Sequence, residues 1–233
     1  MKLQDKVALI TGGGRGIGKA IALAYAREGA KLALCARTTS EVEETRREIQ
    51  NLKSECEAWT CDVSLEEPVK QLVANVQQKF GAIDVLVNNA GVMTRPVPTT
   101  ELDVKKWDYT IAVNLRGPFL VTQAVLPGML THKRGSIINV SSMIGRTGYA
   151  NFSAYAASKW GLEGFTQTLA AEVRSSNIRV NSVDPGYIAT KLTGYHGSTP
   201  ESATAVFVYL ASDEAKGVTG KMLSSSGWQS QVK

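Results

Sequence analysis

A phenol and an ammonium stand four residues apart in the stretch YAASK, from Tyr155 to Lys159. Four residues make about one turn of an α-helix, and the alanine-rich surroundings favour a helix, so both side chains should share one face. A free phenol titrates at about pH 10, and a nearby ammonium favours the phenolate. The pair therefore has the composition of an acid/base catalyst whose phenol pKa is lowered.

A second stretch of the same form, YIATK at 187–191, means that the spacing alone could arise by chance. This stretch follows a Pro-Gly pair that ends a predicted strand, so no helix need place its two side chains together. Ser142 stands thirteen residues before Tyr155 at a predicted strand end, whereas Arg174 stands thirteen residues before the second tyrosine, inside a predicted helix. These contexts favour YAASK as the catalytic pair.

The elements that must position this pair are an alternation of apolar runs and helical patterns, which indicates repeated β–α–β units. The strand runs are continuously apolar, as in parallel strands covered on both faces. We predict an α/β fold, a single doubly wound Rossmann domain over residues 1–233 with a mostly parallel seven-stranded sheet and helices on both faces. The predicted strands are VALIT (7–11), KLALCA (31–36), AWTCDV (58–63), IDVLVNNAG (83–91), GSIINVSS (135–142), IRVNSVDPG (178–186) and 219–224.

Helical patterns separate these strands, and Thr39 or Ser40 is expected to cap the second helix. Ligands of such sheets bind at the carboxyl ends of the strands, so the Gly and polar residues that follow the strands should line one edge together. The predicted helices span 17–29, 39–53, 66–79, 101–130, 153–174 and about 200–211.

The composition disfavours several function classes. The formal net charge is +5, but acids and bases are interleaved, so an anionic small ligand fits better than nucleic acid. No apolar run approaches the length of a membrane helix or a signal peptide. Two histidines cannot form a His-rich metal site, and Cys35, Cys56 and Cys61 lack metal-type spacing. We expect no metal, nucleic-acid or membrane partner, and a reducing, cytoplasmic location.

The loop TGGGRGIG at 11–18 follows the first predicted strand and opens the first predicted helix. Glycines permit tight turns and close backbone approach, and a helix N-terminus favours anionic phosphate. The glycine spacing matches neither the GxGxxG fingerprint nor a P-loop. The position of the loop nevertheless predicts a phosphate-binding turn.

The residue after the second predicted strand bears on which dinucleotide binds. NAD-binding folds usually have an acid there, which accepts from the ribose 2′-hydroxyl. Here the strand ends at Arg37, and no acid follows before Glu41. Arg37, with Arg15 from the glycine loop, could pair with a 2′-phosphate. We therefore predict NADP(H) in preference to NAD(H).

Taken together, the chain resembles the short-chain dehydrogenase/reductase family over nearly its whole length. It is most similar to the 3-oxoacyl-carrier-protein reductase branch and to related sugar and alcohol dehydrogenases. The motifs occur in the family's order: TGGGRGIG, CDV with Asp62, NNAG at 88–91, Asn114 in VNLRG, the serines at 141–142, YAASK, and DPGYIAT at 184–190.

The resemblance implies roles at the matching positions. Tyr155 would be the acid/base, Lys159 its partner, Ser142 the hydroxyl that orients the carbonyl, and Asn114 a holder of a water-linked proton relay. The glycine loop would bind the cofactor through Gly12, Gly14, Arg15, Gly16, Ile17 and Gly18. Other cofactor contacts would come from Arg37, Asp62, Val63, Asn88, Ala90, Gly91, Tyr155, Lys159, Pro185, Gly186, Ile188 and Thr190, with Asp62 and Val63 at the adenine and the last four at the nicotinamide end.

Two regions depart from the family's pattern. Between Thr190 and Pro200 the family usually carries a substrate lid, but here only KLTGYHGST at 191–199 intervenes. A short lid could leave the cleft open for a bulky or tethered substrate, or leave it poorly closed. The last strand leads into SSSGW rather than the family's Asp-Gly-Gly turn.

The expected function is hydride transfer between NADP(H) and a carbonyl or secondary alcohol, with a 3-oxoacyl thioester as the first substrate hypothesis. Sugar, steroid or other secondary alcohols are alternatives. A weakly catalytic NADP-binding sensor or scaffold is an alternative of another class. Small and large apolar residues on several faces of the helix at 153–174, with the resemblance, predict a homodimer or homotetramer.

Overall fold

Parallel strands form one sheet in the computed structural model, which describes residues 1–232. The strands are β1 (Val7–Thr11), β2 (Lys31–Ala36), β3 (Cys56–Thr60), β4 (Val85–Asn88), β5 (Gly135–Val140), β6 (Ile178–Asp184) and β7 (Met222–Ser224). Their order is β3-β2-β1-β4-β5-β6-β7, and every neighbouring pair is parallel. The predicted seven-stranded α/β fold is confirmed.

The chain direction across the sheet reverses between β1 and β4, which are neighbours although two strands separate them in sequence. At such a switch point the connections leave toward opposite faces, and a crevice opens at the carboxyl ends of the two strands. The segments that follow β1 and β4, the glycine loop and the NNAG stretch, therefore meet at this edge.

Helices cover both faces of the sheet. They are α1 (Gly16–Arg27), α2 (Thr39–Asn51), α3 (Glu66–Phe80), α4 (Val104–Ile111), α5 (Gly117–His132), α6 (Ser153–Glu172), α7 (Thr204–Ala211) and α8 (Trp228–Gln231). In residues 1–232, none of these helices has the length and hydropathy to cross a bilayer.

Two apolar cores lie on opposite sides of the sheet, and alternate residues of β1 belong to different cores. Ala8 and Ile10 pack with residues of α1, α2 and α7, whereas Val7 and Leu9 pack with residues of α3, α5 and α6. All residues of β1 are buried, which explains why its sequence is a continuous apolar run rather than an alternating one.

The predicted helix at 101–130 is interrupted. The segment Ala112–Arg116 between α4 and α5 is π-helical, and it holds the buried Asn114. A π-helical turn inserts an extra residue and rotates the side chains that follow, and such turns are frequent at functional sites. The segment AVNLR contains no glycine or proline, so this break was not predicted from the sequence.

Smaller differences occur at other helix ends. The residue that precedes α2 is Thr38, rather than the predicted cap Thr39 or Ser40, and its side chain makes no capping hydrogen bond. A 3₁₀ turn at Pro200–Ala203 precedes α7. The sequence analysis did not predict α8.

Candidate active site

A cavity of about 630 Å³ opens at the carboxyl edge of the sheet, over the switch point between β1 and β4. Its wall includes residues from the loops that follow β1 through β6. The predicted cofactor-binding and catalytic residues in the wall are Gly12, Gly14, Arg15, Gly16, Ile17, Arg37, Asp62, Val63, Ala90, Gly91, Ser142, Tyr155, Lys159, Pro185, Gly186, Ile188 and Thr190.

Hydrogen bonds between Thr11 and Asn89 connect the carboxyl ends of β1 and β4 at the switch point. The Thr11 hydroxyl accepts from the backbone N–H groups of Asn89 and Ala90, at 3.0 Å each. In return the Asn89 amide donates to the carbonyls of Thr11 and Gly12, at 2.9 and 3.1 Å. Asn89 also lines the cavity, and the sequence analysis missed it although it is the second asparagine of NNAG.

Gly18 does not line the cavity but packs under the glycine loop. A Cβ atom at this position would lie 2.2 Å from the carbonyl oxygen of Gly12 and 2.5 Å from the amide nitrogen of Asn89. A side chain at Gly18 would therefore push the glycine loop away from the ends of β1 and β4. Its position supports the loop rather than a direct cofactor contact.

The start of α1 fits an anionic phosphate group. Arg15 precedes the helix in extended conformation and makes no side-chain cap, so the first N–H groups of a twelve-residue helix are left for a ligand. Gly16, the first helical residue, has φ +54°. A dinucleotide pyrophosphate would meet backbone donors here without a side chain between.

Two arginines, Arg15 and Arg37, and two acids, Glu41 and Asp62, line the cavity. Arg37 donates a hydrogen bond to the hydroxyl of Tyr109, and its guanidinium carbon lies 5.6 Å from the centre of that ring. Arg15 forms an ion pair with Glu41 at 2.6 Å. Cationic groups for a 2′-phosphate and an acid for a ribose hydroxyl are therefore both present in the wall.

Asn88 lies outside the cavity wall and is buried at the end of β4. Its amide donates to Thr122 of α5 at 3.1 Å and to Asn139 of β5 at 2.9 Å. This asparagine connects the sheet to a covering helix, and a direct contact with a cofactor stays a prediction.

Asn114 also lies behind the wall, fully buried in the π-helical segment. Its side chain accepts from the N–H of Val92 and donates to the carbonyl of the same residue, at 2.8 Å each. It donates as well to the hydroxyl of Ser158 at 3.1 Å, and Ser158 in turn donates to the carbonyl of Tyr155 at 2.7 Å. Asn114 thus links the chain after β4 to the helix that carries the predicted acid/base.

The predicted catalytic side chains come together in the cavity wall from β5 and α6. Ser142 follows β5, and its hydroxyl accepts from the N–H of Ile144 at 3.2 Å. Tyr155 and Lys159 lie one turn apart on α6, and the Lys159 ammonium is 5.6 Å from the centre of the Tyr155 ring. That ammonium donates to the carbonyl of Val140 at 2.8 Å, so it is tied to the end of β5.

The electrostatics of this pair differ from the sequence-based expectation. Burial raises the pKa of Tyr155 to about 12, with an opposing effect from the Ser142 hydroxyl and a further rise from Asp184. Burial also lowers the pKa of Lys159 to about 8, against the attraction of Glu163. In this arrangement burial is the largest influence on the pKa of both groups, and the Ser142 hydroxyl for the phenol and Glu163 for the lysine oppose it only in part.

The second YxxxK stretch has no comparable geometry. Tyr187 is an exposed loop residue, and Lys191 begins a 3₁₀ turn at Lys191–Thr193. Neither belongs to an α-helix that would place the two on one face.

The short segment after Thr190 folds back on itself. Three backbone hydrogen bonds hold it: the N–H of Ala189 donates to the carbonyl of Ser198 at 2.8 Å, and the N–H of Ser198 donates to the carbonyl of Tyr187 at 2.9 Å. The N–H of Tyr195 donates to the carbonyl of Thr190 at 2.7 Å. These bonds close a compact loop over one side of the cavity. Its wall residues are Lys191, Leu192, Thr193 and Tyr195.

The family model described as short chain dehydrogenase matches residues 6–201. This chain belongs to the short-chain dehydrogenase/reductase family. The matched region contains the glycine loop, the NNAG stretch and the Ser142, Tyr155 and Lys159 side chains described above.

Members of the short-chain dehydrogenase/reductase family with assigned activities are similar along nearly the whole chain. A 3-oxoacyl-[acyl-carrier-protein] reductase of Thermotoga maritima is 40% identical, and the alignment covers 97% of this chain and 98% of that protein. A D-threitol dehydrogenase of Mycolicibacterium smegmatis is 36% identical over 97% of this chain and 93% of that protein.

Solved structures of the family superpose closely. The crystal structure of levodione reductase matches with a TM-score of 0.93 and 31% identity, covering 99% of this chain and 100% of that one. The crystal structure of NAD⁺-bound xylitol dehydrogenase matches with a TM-score of 0.91 and 29% identity, covering 96% and 98%. These likenesses confirm the fold and the family, while the relatives differ in substrate.

The lowered pKa of Lys159 predicts a stability that rises with pH. Between its folded pKa of about 8 and its ordinary value of 10.5, the unfolded chain binds a proton that the folded chain does not. By linkage, the unfolding free energy of the wild type relative to Lys159→Met should increase by about 2 kcal/mol between about pH 7.5 and about pH 9.5. Urea unfolding of both proteins at the two pH values measures this difference, and a pH-independent difference would contradict the burial of the ammonium.

Proposed function

We propose that this protein is an NADP(H)-dependent oxidoreductase that interconverts a carbonyl and a secondary alcohol, with Tyr155 as acid/base. The observation that carries the proposal is the convergence of Ser142, Tyr155 and Lys159 on the wall of the cavity that the glycine loop also lines. Membership of the family supports the reaction class. A nicotinamide dinucleotide bound there would supply or accept the hydride.

The side chains of the chain itself have separate tasks in the direction of reduction. Tyr155, whose pKa burial raises to about 12, is protonated at neutral pH, so it is in the state that can donate a proton to a carbonyl oxygen. The hydroxyl of Ser142 donates a hydrogen bond to the same oxygen, where negative charge develops. Lys159 then stabilises the phenolate that remains.

Asn114 has a supporting task in this proposal. Its bonds to Val92 and Ser158 fix the start of α6 relative to the chain that leaves β4. A water held near this asparagine would return a proton toward Lys159 and Tyr155 after each turnover, as the family resemblance implies.

A 3-oxoacyl thioester is the substrate class that we propose first. The reductase from Thermotoga maritima, which acts on such thioesters by its name, is similar over 97% of the chain. The alignment is longer than this chain, so it contains positions that this chain lacks, in line with the short segment after Thr190. A short lid suits a substrate that is tethered to a bulky carrier.

A polyol or other secondary alcohol is the second candidate substrate. Relatives and structural neighbours include a D-threitol dehydrogenase and a xylitol dehydrogenase. Such substrates are small and polar, and the compact loop with Tyr195 at the cavity could enclose them. The substrate assay must therefore contain both classes.

The preference for NADP(H) rests on Arg37, which follows β2 and lines the cavity. Its guanidinium could leave the hydroxyl of Tyr109 and pair bidentately with a 2′-phosphate. Glu41 could instead accept a hydrogen bond from the ribose 2′-hydroxyl of NAD(H), but its carboxylate forms an ion pair with Arg15. The NAD⁺-bound xylitol dehydrogenase shows that this fold also binds the other cofactor.

We further propose a homo-oligomer in a reducing, cytoplasmic compartment. The exposed apolar side chains of Trp160 on α6 and Phe119 on α5 are surface that an interface between copies of the chain would cover. The cysteines Cys35, Cys56 and Cys61 are free and buried, which fits a reducing environment.

Replacement of Tyr155 by Phe should remove turnover and leave cofactor binding intact, because the ring is kept and only the proton donor is lost. We expect kcat to fall by at least about 1000-fold in NADPH consumption with acetoacetyl thioesters and a panel of ketones, and in NAD(P)⁺ reduction with polyols. NADPH fluorescence titration measures the retained binding.

The matched control is Tyr187→Phe, the same change in the second YxxxK stretch. It should leave turnover within about twofold, since Tyr187 lies outside the cavity wall. Tight NADPH binding without turnover of any carbonyl or alcohol in the wild type would overturn the oxidoreductase proposal and favour the sensor or scaffold alternative.

Arg37→Asp should weaken NADPH binding by more than about tenfold and NADH binding much less, because only NADPH carries a 2′-phosphate for the guanidinium. Arg47→Asp is the control, since it makes the same charge change at an exposed position of α2 outside the cavity wall. The measurement is the dissociation constants of NADPH and NADH for the wild type and the two variants. Equal weakening of NADPH and NADH would exclude the 2′-phosphate assignment.

A further inference from the structure

A buried carboxylate lies directly behind the predicted catalytic pair. Glu163 is one helical turn after Lys159 on α6, and only 7% of its surface is exposed. Its Oε2 atom accepts a hydrogen bond from the hydroxyl of Ser182 on β6 at 2.8 Å. Its Oε1 atom is buried and has no hydrogen-bond partner within residues 1–232. A buried acid with one unpartnered oxygen is costly and needs a reason.

The surroundings of Glu163 belong to the elements that build the site. A Cβ atom at Gly145, in the turn after Ser142, would lie 3.3 Å from the Glu163 side chain and 3.2 Å from the carbonyl oxygen of Lys159. It would also lie 3.0 Å from the hydroxyl of Ser141, which is likewise buried without a partner. The acid therefore sits where the turn after β5, the catalytic helix and β6 are closely packed.

The charge of Glu163 is not neutralised by direct contact. No ion pair with a lysine, arginine or histidine involves Glu163 in the part of the chain that the structure describes. The ammonium of Lys159 is held instead by the carbonyl of Val140. Attraction between the two buried charges therefore acts through space, where the low dielectric of the interior makes it strong.

The other ionisable groups that face this pair are few. Tyr155 lies beside Lys159 on α6, and Asp184 at the end of β6 acts on Tyr155. The turn after β5 contributes the hydroxyls of Ser141 and Ser142, and its Arg146 is exposed and donates to the carbonyl of Met222. Glu163 is the group whose charge opposes the effect of burial on Lys159, and it raises the pKa of that lysine.

We propose that Glu163 is a positioning residue for catalysis: its buried carboxylate keeps Lys159 in the ammonium form, and its bond to Ser182 docks the catalytic helix on β6. The proposal rests on the proposed function, because the ammonium matters only if Tyr155 is the acid/base. It explains why a polar acid occupies a core position of α6 in place of an apolar residue.

The test is the titration of Lys159 itself. Competitive labelling with trace acetic anhydride, with peptide mass spectrometry, monitors the fraction of the amine that is neutral at each pH. In the wild type the labelling midpoint should lie at about pH 8. In Glu163→Gln, which keeps the shape and removes the charge, we expect the midpoint to fall by about one pH unit. An unchanged midpoint in Glu163→Gln would overturn the proposal.

Two control variants separate charge from packing. Ser182→Ala removes the hydrogen bond to Glu163 and keeps the charge, so the Lys159 midpoint should stay within about 0.3 unit. Glu172→Gln removes a charge from the exposed end of the same helix and should also leave the midpoint unchanged. If Glu163→Gln does not fold, Glu163→Leu removes the charge with an apolar side chain of similar size and must give the same fall.

Activity supplies a second and independent readout. With the ammonium less stable, the alkaline fall of kcat/KM for carbonyl reduction should begin about one pH unit lower in Glu163→Gln, and Glu163→Asp should restore it in large part. A protein without turnover, but with the shifted labelling midpoint, would defeat the proposed function and leave intact only the effect of Glu163 on the charge of Lys159. Turnover with an unshifted midpoint and an unshifted pH profile in Glu163→Gln would support the proposed function and defeat the role proposed for Glu163.

Discussion

The hydrogen bonds between Thr11 and Asn89 are the constraint on which the rest of the site depends. They join the carboxyl ends of β1 and β4, the two strands between which the sheet reverses its direction of winding. Gly18 packs against Gly12 and Asn89, and a side chain at this position would collide with both. Without these hydrogen bonds the glycine loop and the NNAG stretch would separate, and the crevice between them would lose its shape.

The second half of the site is built against this connection of β1 and β4 by α6. On α6, the ammonium of Lys159 binds the end of β5, and Glu163 binds β6. Ser158 of the same helix accepts a hydrogen bond from Asn114, which also binds the chain after β4. One helix is thus anchored to three parts of the carboxyl edge by buried polar contacts. Such contacts fix direction as well as distance, which hydrophobic packing alone does not. The face that holds Tyr155 is therefore preorganised before any substrate arrives.

Much of the fold could be predicted from the sequence, because buried parallel strands leave continuous apolar runs and their loops contain the glycine and polar residues. The π-helical turn around Asn114 could not be predicted, since its residues, AVNLR, include no glycine or proline that would mark a break in an α-helix. Asn89 was missed for a related reason: its role depends on the neighbour β1, which sequence order does not reveal. Asn88 and Gly18 were recognised, but they lie behind the wall rather than in it.

The protonation behaviour of the site was also beyond the sequence. Spacing on a helix indicates that a phenol and an ammonium are close, but it does not indicate how deeply either is buried. Burial raises the pKa of Tyr155 and lowers that of Lys159, so each group favours its neutral form. The consequence is a phenol that stays protonated at neutral pH and a lysine whose charge depends on its surroundings.

Under the proposed function, a carbonyl is reduced in this cavity with a hydride from the nicotinamide ring. The most direct measurement uses NADPH with deuterium at the transferable C4 position, an acetoacetyl thioester, and mass spectrometry of the product. The account predicts a 3-hydroxyacyl thioester with one deuterium on the carbon that was the carbonyl. NADPH oxidation without deuterium on that carbon, or an unlabelled alcohol, would contradict it.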